Sequence, residues 1–373
     1  MSALPNPLAG YDDIVGYLRD RPRHEGSVAG SRELADVLGV PALPAGSRDL
    51  RVEREHRADG LVTSTLSWDT GFGPRTRGYL VRQADRDNEV LPGVLALHCH
   101  GGYKWLGAEQ LVDLGDDAVA EAAMLQGQWY GGRAPATELA RQGFAVLAPD
   151  TFAWGSRRFP LEQRTPKLAA EVAAQEALWR EQGFVPSAAE QYNAAASAHE
   201  DTVAKAAGVL GSSLAGLVIH DDLVSLGVLG GLPGVDEDRL GCFGFSGGGG
   251  RAVLLSALDR RVKAAVVACM MATNESLTPH YLDTHSWLFN SPGLWRYSEW
   301  PLLVRGASVL VQYGETDALF PLEGMRVAHE MLSKQAPGRY RGEFYPGGHD
   351  FGTELQLDAF AFLAEELAST ESR

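Results

Sequence analysis

Polar and apolar positions along the chain change their period several times, and each change marks an element. Residues 61–68 and 77–81 are rich in β-forming side chains and are separated by Gly71, Gly73 and Pro74, which predicts two antiparallel leading strands. Residues 94–98 form a short continuous apolar run bounded by Gly93, Gly101 and Gly102, the pattern of a strand buried on both faces of a parallel sheet. A helical period over 136–141 and a second apolar run over 144–147 repeat the strand, helix, strand order. Further strands are predicted at 240–245, 262–268, 308–313 and 342–345, with helices at 251–258 and 353–367. Between 165 and 229 the sequence is alanine-rich and helical, with breaks near 183–186 and 208–211. Strands alternating with helices imply right-handed crossovers, and so an α/β fold with a mostly parallel sheet.

Two stretches stand apart from this alternation. Residues 1–45 carry helical patterns at 14–18 and 33–38 before a proline- and glycine-rich break at 41–46, and read as a helical extension packed on a main domain of residues 46–373. Residues 272–305 hold Tyr281, Trp287, Phe289, Trp295, Tyr297 and Trp300 without a regular period. A loop of that length inside a compact domain is usually functional, so it is expected to be a lid or pocket wall.

Composition narrows the class. A hydrophobic content of 45% over 373 residues suffices for a sizeable core. The formal charge of −15 argues against nucleic acid and anionic membranes as partners, and favours a small neutral or weakly charged ligand. The first residues lack a basic segment followed by an apolar one, and no run approaches the ~20 apolar residues of a membrane span, so a cytoplasmic protein is expected. Cys99, Cys242 and Cys269 all fall in apolar segments and are expected to be buried free thiols. The sequence leaves the oligomeric state open.

The strongest chemical signal is Gly244-Phe245-Ser246-Gly247-Gly248, a G-x-S-x-G between an apolar strand and a helix. Such a serine sits on a strained turn, and the flanking glycines remove side chains that would collide there. The helix that follows lacks the Gly-Lys-Ser or Gly-Lys-Thr of a phosphate loop. A serine hydroxyl needs a base, and the base needs a third group to hold its tautomer. Two late loops supply them: Gly314-Glu315-Thr316-Asp317, and Pro346-Gly347-Gly348-His349-Asp350-Phe351. His349 is the base candidate and Asp317 the acid candidate, with Glu315, Asp350 and Glu275 as competitors. For the oxyanion, one donor is expected from the N–H of Gly247 and the other from the loop His98-Cys99-His100-Gly101-Gly102-Tyr103, at Gly102 or at Tyr103. Tyr103, Trp105, Trp129, Tyr130, Trp154 and Trp287 are candidates for an apolar pocket, with Trp105, Trp154 and Trp287 placed against substrate. Strand alternation separates the neighbours His98, Cys99 and His100, so neither a metal site nor a cofactor is expected.

In these residues the chain resembles the dienelactone-hydrolase-like and acetyl-xylan-esterase-like branch of the α/β-hydrolases. The similar blocks are 98–103, 131–157, 239–273, 314–321 and 346–351. The resemblance implies an eight-stranded, mostly parallel sheet, a Ser246, Asp317 and His349 triad, and metal-free cleavage of a small carboxylic ester, acetyl esters among them. Dienelactone hydrolases proper carry a cysteine where this chain has Ser246, and secreted xylan esterases carry a signal peptide that is not visible here. The same triad also serves acyltransferases, lyases and cyclases, and a hydrolase scaffold can act as a non-catalytic binding protein.

Overall fold

The computed structural model describes residues 31–43, 48–86, 89–273 and 306–368, with Gly10, Asp13 and Ser276 as isolated positions. Its strands are β1 (Arg51–Ala58), β2 (Leu61–Trp68), β3 (Thr76–Gln83), β4 (Leu91–Leu97), β5 (Ala145–Pro149), β6 (Val235–Phe245), β7 (Val262–Ala268), β8 (Ser308–Gly314) and β9 (Tyr340–Tyr345). Among the described residues they form one nine-stranded sheet in the order β1-β2-β3-β5-β4-β6-β7-β8-β9. The first three strands and the β3–β5 junction are antiparallel, and every pairing from β5 to β9 is parallel. The fold class is the expected one, but the sheet has nine strands rather than eight, and three leading strands rather than two. The extra strand is β1, Arg-Val-Glu-Arg-Glu-His-Arg-Ala, exposed at all eight positions. A strand with neither face in the core has no apolar alternation to reveal it.

The helices are α1 (Ser31–Leu38), α2 (Ala120–Trp129), α3 (Pro135–Ala140), α4 (Pro166–Glu181), α5 (Ala188–Val209), α6 (Leu214–Gly230), α7 (Gly247–Leu258), α8 (Leu322–Gln335) and α9 (Thr353–Glu366). The break between α4 and α5 is enforced by a capping box, in which the Ser187 hydroxyl accepts from the Glu190 N–H and the Glu190 carboxylate accepts from the Ser187 N–H. α6 follows with Ser213 as its cap. The described part of the N-terminal segment packs on it: Leu34, Ala35 and Leu38 are buried, and the Ser212 and Ser213 hydroxyls donate to the carbonyls of Gly39 and Leu38. The pattern at 14–18 lies outside the described residues, as does the 272–305 stretch apart from Ala272, Thr273 and Ser276.

Alternate side chains of the central strands feed two cores. Leu95, Leu97, Leu147, Leu240, Cys242, Val267 and Val311 face one, with the apolar positions of α6 and α7. Val94, Ala96, Val146, Phe243, Phe245, Val266 and Leu310 face the other, with those of α3 and α9. This double burial is why these strands read as continuous apolar runs. The chain leaves β4 to form β5 on one side and later returns to form β6 on the other, so β4 and β6 end side by side, with Leu97 opposite Gly244. Crevices at the carboxyl edge next to such a reversal are where open α/β sheets bind ligands.

Candidate active site

Ser246 stands at the end of β6 with φ 54° and ψ −121°, a conformation that costs a non-glycine residue about 1–3 kcal/mol. Its N–H donates to the Ala268 carbonyl at 2.8 Å, which ties the turn to β7. α7 begins immediately after it, four residues earlier than the sequence pattern suggests, because the glycine cluster is itself helical. A side chain at Gly248 would collide with the carbonyl of Leu97, and one at Gly244 with the backbone of Gly248. The glycines therefore let strand, turn and helix press together, and the first-turn N–H groups of α7 lie at the serine.

The two late loops meet at this point. The Oγ of Ser246 lies 2.9 Å from Nε2 of His349, and Nδ1 of the same ring lies 2.6 Å from Oδ2 of Asp317. The other oxygen of Asp317 accepts from the N–H groups of Leu319 and Phe320, and its side chain is fully buried. The loops are stitched by bonds from Glu315 N–H to the Tyr345 carbonyl and from Thr316 N–H to the Gly347 carbonyl. Phe320 stacks on the His349 ring at 5.7 Å, Phe245 approaches at 4.8 Å and Trp129 stands edge-on at 6.1 Å. The histidine loop is also anchored from the α2 side, where Phe351 N–H donates to the Trp129 carbonyl at 2.7 Å.

Of the competing acids, Glu315 is exposed, Asp350 accepts from the Gly352 N–H, and Glu275 lies outside the described residues. Bond direction settles the ring tautomer: with Asp317 ionised, Nδ1 carries the proton and Nε2 presents a lone pair to the serine hydroxyl.

The loop after β4 differs from expectation. Gly247 packs directly against it, since a side chain there would come within 2.9 Å of the His100 amide nitrogen. The two expected second donors are not open: Gly102 N–H donates to Nδ1 of His100 at 3.1 Å, and Tyr103 N–H donates to the His100 carbonyl at 3.3 Å. His100 in turn reaches α5, its Nε2 lying 3.0 Å from Oε2 of Glu200. Lys104 also pairs with Glu200 and sits 4.0 Å over the ring of Trp154, whose indole N–H donates to the His100 carbonyl. Burial raises the pKa of Glu200, but Lys104 and His100 outweigh it and hold the carboxyl well below its usual range.

The aromatic candidates divide. Trp154 is 1% exposed and packs the loop from behind, which corrects its expected place against substrate. Tyr103 and Trp105 are half-buried and pack with Trp129 on a small cluster of Leu106, Ala122 and Leu125. Trp105 packs against Tyr192, and the Arg158 guanidinium lies over its ring. Trp287 lies outside the described residues. The three cysteines are buried, and no group of three or more metal-ligating side chains occurs among the described residues.

Beneath the loop, Arg251 clamps Asp222 with two hydrogen bonds and donates a third to the His98 carbonyl. Arg157 clamps Asp221 in the same manner. Sequence reasoning found neither these pairs nor Glu200 and Lys104, whose partners lie tens of residues away.

Comparison with known proteins agrees with this architecture. Residues 128–278 match the Dienelactone hydrolase family, a stretch that contains α5, α6, β6, Ser246 and β7. The structure resembles that of Acetyl Xylan Esterase 1 from Thermoanaerobacterium sp. JW/SL YS485, with a TM-score of 0.56 and 17% identity over 94% of this chain and 98% of that one. The chain has the fold of the α/β-hydrolases. A second structure of similar fold is the Glucuronoyl Esterase from Solibacter usitatus, with a TM-score of 0.54 and 12% identity over 99% and 98% of the two chains. In sequence, the chain is 25% identical over 333 residues to "Putative hydrolase YtaP" of Bacillus subtilis (strain 168), covering 87% of this chain and 93% of that protein.

Proposed function

We propose that this protein is a serine esterase that cleaves a small carboxylic ester, with acetyl esters the first class to test, through an acyl-enzyme on Ser246. The observation that carries the reading is the continuous hydrogen-bonded line from Asp317 through His349 to Ser246, at 2.6 and 2.9 Å. In this reading His349 takes the hydroxyl proton as Oγ attacks the ester carbonyl, and Asp317 stabilises the imidazolium. The oxyanion is received by the N–H of Gly247 at the head of α7 and by an amide of the adjoining 100–103 loop. His349 then returns the proton to the leaving alkoxide, and the alcohol departs. A water molecule gives its proton to His349 and its hydroxide to the acyl carbon, and collapse of that adduct frees the acid and restores Ser246. Support for ester substrates comes from the resemblance to acetyl xylan and glucuronoyl esterases.

The test is a series of p-nitrophenyl esters from acetate to octanoate, with a fluorophosphonate probe and mass spectrometry to locate the labelled residue. Turnover of the short esters and labelling at Ser246 are expected. A protein that neither turns over any ester nor takes the label overturns the reading.

A further inference from the structure

His100 contacts both residues expected to supply oxyanion donors. Its main chain abuts Gly247, and its ring holds the amide of Gly102. The ring has one tautomer available. Nε2 faces the Glu200 carboxylate at 3.0 and 3.3 Å, so it carries the proton, and Nδ1 is left with the lone pair that accepts from Gly102. Glu200 is kept anionic by Lys104, which is itself buried against Trp154.

We propose that His100 is a positioning residue of the oxyanion site, which keeps the Gly102 amide ordered in the empty enzyme and yields it to the oxyanion. The inference deepens the serine-esterase reading and rests on it. A neutral imidazole is a weaker acceptor than a developing oxyanion, because hydrogen bonds to ionised acceptors are roughly twice as strong as neutral ones. The Gly102 N–H therefore stays with His100 until charge develops on the carbonyl oxygen, and then transfers its bond there. The donor is held in place until then, so the transition state pays only for exchanging a neutral acceptor for a charged one. Glu200 and Lys104 act through His100 by fixing its tautomer.

Side-chain geometry provides the test. The Oδ1 of asparagine falls near the position of histidine Nδ1 and can accept from Gly102, whereas the amide of glutamine falls near Nε2 and can only reach Glu200. In His100→Ala and His100→Gln, kcat for p-nitrophenyl acetate per fluorophosphonate-titrated site should fall about 10- to 1,000-fold with KM within threefold, up to the loss seen when one oxyanion donor is removed. Inhibition by phenylboronic acid, whose adduct mimics the tetrahedral oxyanion, should weaken in parallel. His100→Asn should recover most of the loss. A kcat per titrated site close to wild type in the alanine and glutamine variants overturns the inference, as does equal impairment of the asparagine and glutamine variants. If the alanine variant does not fold, the asparagine and glutamine pair decides. Failure of wild-type Ser246 to take the label overturns the esterase reading and this inference with it, whereas normal labelling with unchanged variants overturns this inference alone.

Discussion

His349 and His100 stand at the carboxyl edge of one sheet and are wired alike, yet the proposed reading gives them opposite tasks. Each has one ring nitrogen on a carboxylate: Nδ1 of His349 on Asp317 at 2.6 Å, and Nε2 of His100 on Glu200 at 3.0 Å. Each uses its other nitrogen as an acceptor, from the Ser246 hydroxyl in one case and the Gly102 amide in the other. A hydroxyl proton can be transferred as the oxygen attacks, so the first ring is suited to act as a base. A backbone amide keeps its proton, so the second can only hold and orient. The carboxylates differ to match: Asp317 is gripped by the backbone N–H groups of Leu319 and Phe320, and Glu200 by the charged Lys104. In this reading the role of each histidine follows from the group its second nitrogen faces.

The largest expected effect breaks the comparison on the His349 side. Ser246→Ala removes the transferable proton without altering the turn, and kcat on a short ester should fall about 10³- to 10⁶-fold. Retained activity in a purified, folded variant would falsify the nucleophile assignment. The next effect sharpens the contrast between the carboxylates. Asp317→Asn should lower kcat by up to about 10⁴-fold, because the base loses both its tautomer and its counter-charge. Glu200→Gln should cost only about 10- to 100-fold, since it disturbs a single donor of the oxyanion site. Equal losses in steady-state kinetics would erase the distinction between base and anchor.

A third experiment addresses the ion pair beneath the loop after β4. Arg251→Ala leaves the Asp222 charge buried without its clamp and should destabilise the protein by about 3–5 kcal/mol, read as a lowered urea midpoint. The double replacement Arg251→Met with Asp222→Leu should be closer to wild type, because no lone charge remains.

The smallest effect is a pH dependence of stability. Burial, followed by Arg251, pushes the pKa of His98 well below its ordinary value, and burial lowers that of His220 against the opposing pull of Asp221. The folded state keeps both rings neutral, so their contribution is complete above the ordinary histidine pKa of about 6.5 and is lost as pH falls below it. Each histidine should remove up to about 1.4 kcal/mol per pH unit. Urea unfolding at pH 7 and pH 5.5 should show the decline, and His98→Asn should flatten it by up to one proton. An unchanged slope in that variant would remove His98 from the account.

Much of the fold was legible because local chain physics writes it into neighbouring residues. Period and glycine placement marked β4 to β9, the turn at Ser246 and the late loops that carry Asp317 and His349. The strand β1 was not legible, since its Arg-Val-Glu-Arg-Glu-His-Arg-Ala sequence buries nothing. Helix α2 escaped as well, with Ala122 and Leu125 its only buried side chains.

What the sequence determined by itself is the order of elements and the residue types at their carboxyl ends, because both follow from periodicity, backbone freedom and chain order. Only the tertiary structure decided which carboxylate meets His349, why Trp154 lies behind the loop, and where the Gly102 amide points. Those outcomes depend on groups far apart in the chain, such as His100 and Glu200, or Arg251 and Asp222. A buried polar group must be satisfied by whatever packing brings to it, and no local pattern records that partner.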